Sequence, residues 1–186
     1  MEGRSYLNEE QTEAPESFLI ANAGLCLFSP WLPRLFSMLG YLNEDTRTFK
    51  DTTSQVHAVF LLQYLTCLEE KRYQETELVF NRLIVDLPMH IPLPSMLELT
   101  DQEKDVAESL VKAIKANWSK MAHTSTRGLQ EAFILRRGRL KQQEEKWVLT
   151  VENKPIDLLL ESIPWSFKLM HYPWLKKYIQ VIWYEK

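Results

Sequence analysis

Cysteine is nearly absent from this chain of 186 residues: Cys26 and Cys67 are the only two. Two thiols cannot form a disulfide framework, so a reducing compartment during folding is expected. Neither cysteine belongs to a C-x-x-C pair, and His57, His90, His123 and His171 are scattered without H-x-x-x-H spacing. A zinc site needs four ligands at suitable spacing, so no metal and no cofactor is expected. Glycine is equally scarce. Gly3, Gly24, Gly40, Gly128 and Gly138 are never paired as G-x-G, and no G-x-S-x-G occurs. That excludes the familiar phosphate-cradling loops and the nucleophile elbow. Long apolar runs are missing too. The longest, Val56 to Leu68, is interrupted by His57, Gln63 and Thr66 and falls short of the ~20 residues that span a bilayer. It reads as a buried helix, and no membrane partner is expected. Neither sign of charge dominates: 22 Lys and Arg against 25 Asp and Glu leave a net charge of −3. No global positive field exists to draw nucleic acid. The opening MEGRSYLNEEQTEAPES has no apolar h-region, so no Sec signal peptide is expected.

What the chain does have is the composition of a folded domain, 45% apolar and 25% charged, with six Trp. Residues 1–17 read as a flexible polar leader and 18–186 as one globular domain. Phe18 to Ala21 suggests a short strand. Pro30 and Pro33 open a helix near 30–39, with Gly40 placed to stop it. Residues 43–51 are polar and read as a loop. Further helices are predicted at 53–69 and 75–86. Beyond them, the three prolines of 88–94 enforce an extended segment. The clearest helix, 101–118, starts with the capping box Thr100-Asp101-Gln102-Glu103. Its apolar stripe is Val106, Leu110, Ile114 and Trp118. A helix at 126–136 is predicted to end at Gly138 as its C′ residue. The period then changes from 3.6 to two. Strands are predicted at 138–142, 147–152, 166–171 and 178–184, with a short helix opened by Pro155. The fold class expected is therefore α+β, mostly α: a helical core over about 25–137, then a small antiparallel sheet over about 138–184.

No constellation singles out a catalytic centre. Asp86, Glu152, Asp157 and Glu161 are carboxylates that any acidic chain carries. Buried cysteines act as small hydrophobes, and His57 on an apolar helix reads as a satisfied buried imidazole. The surface chemistry of interest lies late in the sequence. Arg136, Arg137 and Arg139 form the only basic run, and Pro164-Trp165 and Pro173-Trp174 repeat a Pro-Trp pair. Trp and Arg are the types most enriched among interface hot spots, so Arg136, Arg137, Arg139, Trp165, Trp174 and Trp183 are the candidate partner-binding residues. The competing reading is that a thin sheet needs those aromatics to fill its core. The last strand, Tyr178 to Tyr184, is expected to leave an edge open to another chain.

Several stretches then resemble one family in order and spacing. They are NAGLCLFSPWLPRLF at 22–36, HAVFLLQYL at 57–65, ELVFNRLIVDLPMHIPL at 77–93 and LTDQEK at 99–104. The others are TSTRGLQEAFILRRGRL at 124–140, WVLTVE at 147–152 and DLLLESIPWSFKLMHYPWL at 157–175. Together they resemble the C-terminal module of the tape-measure proteins of bacterial contractile injection systems, the phage-tail-like particles. The resemblance implies a non-enzymatic structural or assembly role, with protein components of the particle as partners: inner tube, baseplate or hub. It implies assembly in the bacterial cytoplasm and then residence within the particle. A homo-oligomer is compatible with it, and so is a free-standing adaptor or cargo chaperone of the same system. Family members carry a long region ahead of this module, whereas about seventeen polar residues precede it here. A helix of about twenty residues reaches only ~30 Å. Either the chain is a fragment of a longer protein or it is a short member that only docks; the expected role of this module is docking and not measuring.

Overall fold

The computed structural model describes residues 16–184. Up to residue 15, the polar leader predicted at 1–17 lies outside the described residues. Its last residue, Ser17, belongs to the first strand, β1 (Ser17–Ile20). The chain then winds through a buried 3-10 segment, Ala23–Trp31, into α1 (Leu32–Met38), which Gly40 ends with φ of +73°. The 3-10 segment has no amphipathic period because almost all of it is buried, which is why a periodicity argument starts the helix only at the prolines. After the turn at 43–50 comes α2 (Thr52–Cys67), whose N-cap Asp51 accepts the Ser54 N–H at 2.7 Å. A 3-10 turn, Glu75–Leu78, feeds α3 (Val79–Val85). The predicted capping box is present at the head of α4 (Asp101–Asn117): Thr100 Oγ1 accepts from the Glu103 N–H, and Glu103 Oε1 accepts from the Thr100 N–H. The next helix, α5 (Thr126–Leu129), continues as a π-helical turn over Gln130–Ile134.

The remaining strands are β2 (Gly138–Gln142), β3 (Lys146–Val151), β4 (Leu169–Met170) and β5 (Tyr178–Ile182), with a 3-10 helix at Pro155–Ser162. The α+β, mostly helical class holds. The sheet, however, is mixed and not antiparallel, in the order β1-β2-β3-β5-β4. The pair β3–β5 is parallel, with Leu149 opposite Val181. A parallel pair needs a long crossover, and residues 152–177 supply it. Two further expectations fail for the same topological reason. The last strand is interior, flanked by β3 along its length and by β4 over Ile179 and Gln180, so most of its expected open edge is covered. The 166–171 strand shrinks to two residues because only Leu169 and Met170 reach a partner. Gly138 is no helix cap either. It opens β2 where a Cβ would lie 2.9 Å from the Ala23 Cβ and 3.1 Å from the Thr150 carbonyl oxygen.

Alternation along the strands puts one sheet face against the helices. Leu140, Leu149, Val151, Ile179 and Val181 point inward and are buried. Central helix α2 is buried from Ala58 to Thr66, including Val59, Phe60, Leu62 and Leu65, and packs against α3 and α4. Its polar residues are paired inside. Asn22 Nδ2 donates to Gln63 Oε1 and Asn81 Oδ1, and Asn81 Nδ2 donates to the Val59 carbonyl at 2.9 Å. Gln130 Nε2 donates to the Leu65 carbonyl at 3.0 Å, tying the π-turn to α2. Arg82 is buried and donates to the carbonyls of Pro88 (2.8 Å) and Ile91 (2.7 Å). That guanidinium satisfies two carbonyls of the proline-rich segment, whose prolines have no N–H to build a ladder, and Glu75 accepts the Leu93 N–H beside it.

Candidate functional site

The six candidate partner-binding residues divide sharply. Arg136 is the most deeply placed charge: its side chain and that of Asp157 are both 0% exposed. The guanidinium grips Asp157 through both Nη atoms. It also donates from Nε to the Ala132 carbonyl (2.6 Å) and from Nη1 to the Glu152 carbonyl (2.9 Å). The rings of Phe133 and Trp183 lie 5.6 and 5.4 Å from it. Asp157 additionally accepts from the Lys154 N–H and from Trp183 Nε1 at 3.1 Å. Burial pushes the Asp157 carboxyl up, but the hydrogen bonds from Arg136, the Lys154 N–H and Trp183 outweigh it and hold it below the usual carboxylate range. The pair thus joins the π-turn, the 152–157 loop and the C-terminal strand.

The tryptophans act as pins between the same two halves. Trp183, 1% exposed, is half of the Asp157 clamp. Trp174 is buried, donates to the Ile84 carbonyl at 2.8 Å and stacks on Tyr172 at 4.5 Å. The Tyr172 hydroxyl in turn reaches the Ser29 carbonyl at 2.8 Å. Trp165 is half-buried, donates to the Leu27 carbonyl at 3.0 Å and meets Trp31 edge-on at 4.8 Å. Each Pro-Trp corner therefore aims its indole inward at a backbone carbonyl of the helical part. Arg136, Trp174 and Trp183 are buried in the core. Arg137 and Arg139 are exposed. Asp157, the partner that organises this core, was indistinguishable from other carboxylates in the sequence. Its place three residues beyond the N-cap Lys154, inside a turn opened by Pro155, was the available signal.

Two other constellations stand out. Glu103, buried at the head of α4, accepts from the Tyr41 hydroxyl and contacts His57 Nδ1 at 3.1 Å. Burial raises its carboxyl and these bonds, with the Thr100 N–H, lower it further, so the net shift is downward. Glu103 is committed to the cap and to docking α4 on α2, and His57 is half-buried beside it. Between α1 and α4 runs a groove of about 460 Å³ lined by Trp31, Leu35, Met38, Val106 and Leu110, with Met38 56% exposed. Among the described residues, no group of three or more His, Cys, Asp or Glu could hold a metal ion, and no helix is long and apolar enough to cross a membrane.

The class defined by this arrangement is a helical module backed by a one-sided mixed sheet and pinned by indole–carbonyl bonds. The chain belongs to the contractile injection system tape measure protein family, whose model matches residues 2–183, nearly its whole length. No curated protein and no solved structure matches it.

Proposed function

We propose that this chain is a non-enzymatic docking module of a contractile injection particle, binding inner-tube or baseplate components during assembly. Residues 18–186 act as one unit in it. The observation that carries this reading is the family match over residues 2–183. The fold supports it. Arg136, Asp157, Trp165, Trp174 and Trp183 form internal clamps, and a preorganised module loses little freedom on binding. Of the six candidates, Arg137 and Arg139 are the ones placed to meet a partner. The deciding experiment is to express the tagged chain with the sheath, tube and baseplate genes of its particle and to purify intact particles. The chain is expected in them, at far fewer copies than the tube protein. Normal particles that exclude the chain would refute the reading. A chain that associates with assembly intermediates and leaves finished particles would make it an adaptor.

A further inference from the structure

The sheet has one face against the helices and one largely open face, on which Leu19, Arg139, Lys141, Thr150 and Leu169 are exposed and Val148 is buried. On the open face, register aligns Leu19, Arg139, Thr150 and Ile182 in one row across β1, β2, β3 and β5. The next row runs from Lys141 on β2 through Val148 on β3, which is buried, and Gln180 on β5 to Leu169 on β4. Lys146 lies one row further and donates to Gln180 Oε1 at 2.7 Å on the same face. Three cations thus stand on β2 and β3, and among the described residues no carboxylate occupies an outward strand position, Glu152 lying just beyond the end of β3. Among the described residues, Arg139 and Lys141 take part in no ion pair. This happens on a chain whose net charge is −3. At opposite margins of the face, Leu19 on β1 is 72% exposed and Leu169 on β4 is 54% exposed.

We infer that this open face is the docking surface of the module, and that it takes a protein segment carrying carboxylates at its centre and apolar side chains at its ends. The inference rests on the docking role proposed above and names its surface and partner chemistry. Charge complementarity decides the occupant. A second copy laid face to face would set Arg139, Lys141 and Lys146 against the same cations, which is repulsive. Nucleic acid would use the cations but find nothing to pair with Leu19, Leu169 and Ile182. An acidic protein segment with flanking apolar residues uses both features. Unpaired cations on the face give speed and register to the encounter, and the leucines supply apolar burial.

The test titrates the purified inner-tube and baseplate proteins of the particle against the full chain. Three variants are compared with the unaltered chain: Arg139→Glu with Lys141→Glu, Leu19→Ser with Leu169→Ser, and Lys112→Glu with Lys120→Glu on the helical side as control. All four positions on the face are exposed, so melting temperatures should stay close to that of the unaltered chain. Charge reversal on the sheet should weaken binding about tenfold or more at low salt and flatten its salt dependence. The leucine pair should weaken binding while leaving the salt dependence in place, and the control should change it less than about twofold. Unchanged binding after charge reversal, in a chain that still binds a particle protein, overturns this surface alone. It points instead to the α1–α4 groove, which Met38→Ser then tests. A chain that binds none of the particle's proteins overturns the docking role and this surface together. Tighter retention of duplex DNA or phosphatidylglycerol vesicles, lost on charge reversal, overturns the protein partner.

Discussion

Replacing Asp157 by Asn tests the central clamp directly. The change is nearly isosteric, so it removes charge and one acceptor function without opening a cavity. Arg136 stays 0% exposed with its positive charge uncompensated. Removing one partner of a buried pair costs about 3–5 kcal/mol, because the remaining charge has lost water and gained nothing. For a domain of this size that lowers the melting temperature by about 6–20 °C. The pH dependence has a defined sign. The folded carboxyl lies below its ordinary value, so the unfolded chain binds the proton more readily. The stability it contributes is fully present above the unfolded value of about 3.9 and is lost as pH falls through the folded one. The difference in stability between the parent chain and Asp157→Asn should therefore be constant near neutrality and narrow in acid. Urea melts from pH 7 down to pH 3 provide the assay. A double variant, Arg136→Met with Asp157→Leu, should cost less than the two single changes summed, since it leaves no orphan charge. A cost below about 1 kcal/mol for Asp157→Asn, or a difference that does not narrow in acid, would refute the description of this pair.

The packing sets three further outcomes. Leu62→Ala, at a fully buried position on α2, should cost about 2–5 kcal/mol in a denaturant melt through lost transfer energy and a residual cavity; less than about 1 kcal/mol would make α2 peripheral. Gly24→Ala places a Cβ 1.8 Å from the Phe133 carbonyl oxygen and 2.4 Å from the Ile134 Cα, both backbone atoms of the π-turn, so soluble folded protein should be lost or its melting temperature should fall steeply. Thiol titration with a chromogenic disulfide should find Cys67, half-buried, reacting in the native protein. Cys26, fully buried with its thiol pushed up by desolvation, should react only on unfolding.

Elements whose signals are local were legible in the sequence. The capping box at Thr100 and Glu103, the stop at Gly40 and the period-two alternation of 147–151 each depend on neighbours a few residues away. What failed depends on distant partners. The parallel pairing of β3 with β5, the interior position of the last strand and the π-turn at 130–134 are set by what packs beside them. The π-turn shows this clearly. Its Phe133 carbonyl sits directly over Gly24, more than a hundred residues away in the chain, and only a glycine admits that approach.

Three of the six candidate residues, Arg136, Trp174 and Trp183, are buried for a reason that physical chemistry explains. Trp and Arg are enriched at hot spots because each combines a large apolar body with directional donors. Those same properties suit a crossover that must be fixed to a separate layer. Residues 152–177 run between two parallel strands without a long helix of their own to bury. Their attachment therefore comes from side chains that fill space and also satisfy backbone carbonyls left outside any ladder. Trp165 does this at Leu27, Trp174 at Ile84, and Arg136 at Ala132 and Glu152. A composition argument weighs residue types and cannot tell an indole aimed inward from one aimed outward. Strand register can, because it assigns every second residue to one face. By that criterion Arg139 separates from Arg136: it alternates with Gly138 and Leu140, both buried, and so stands on the open side of the sheet. A strand-by-strand assignment of faces therefore carries the search for a docking surface further than the abundance of Trp and Arg.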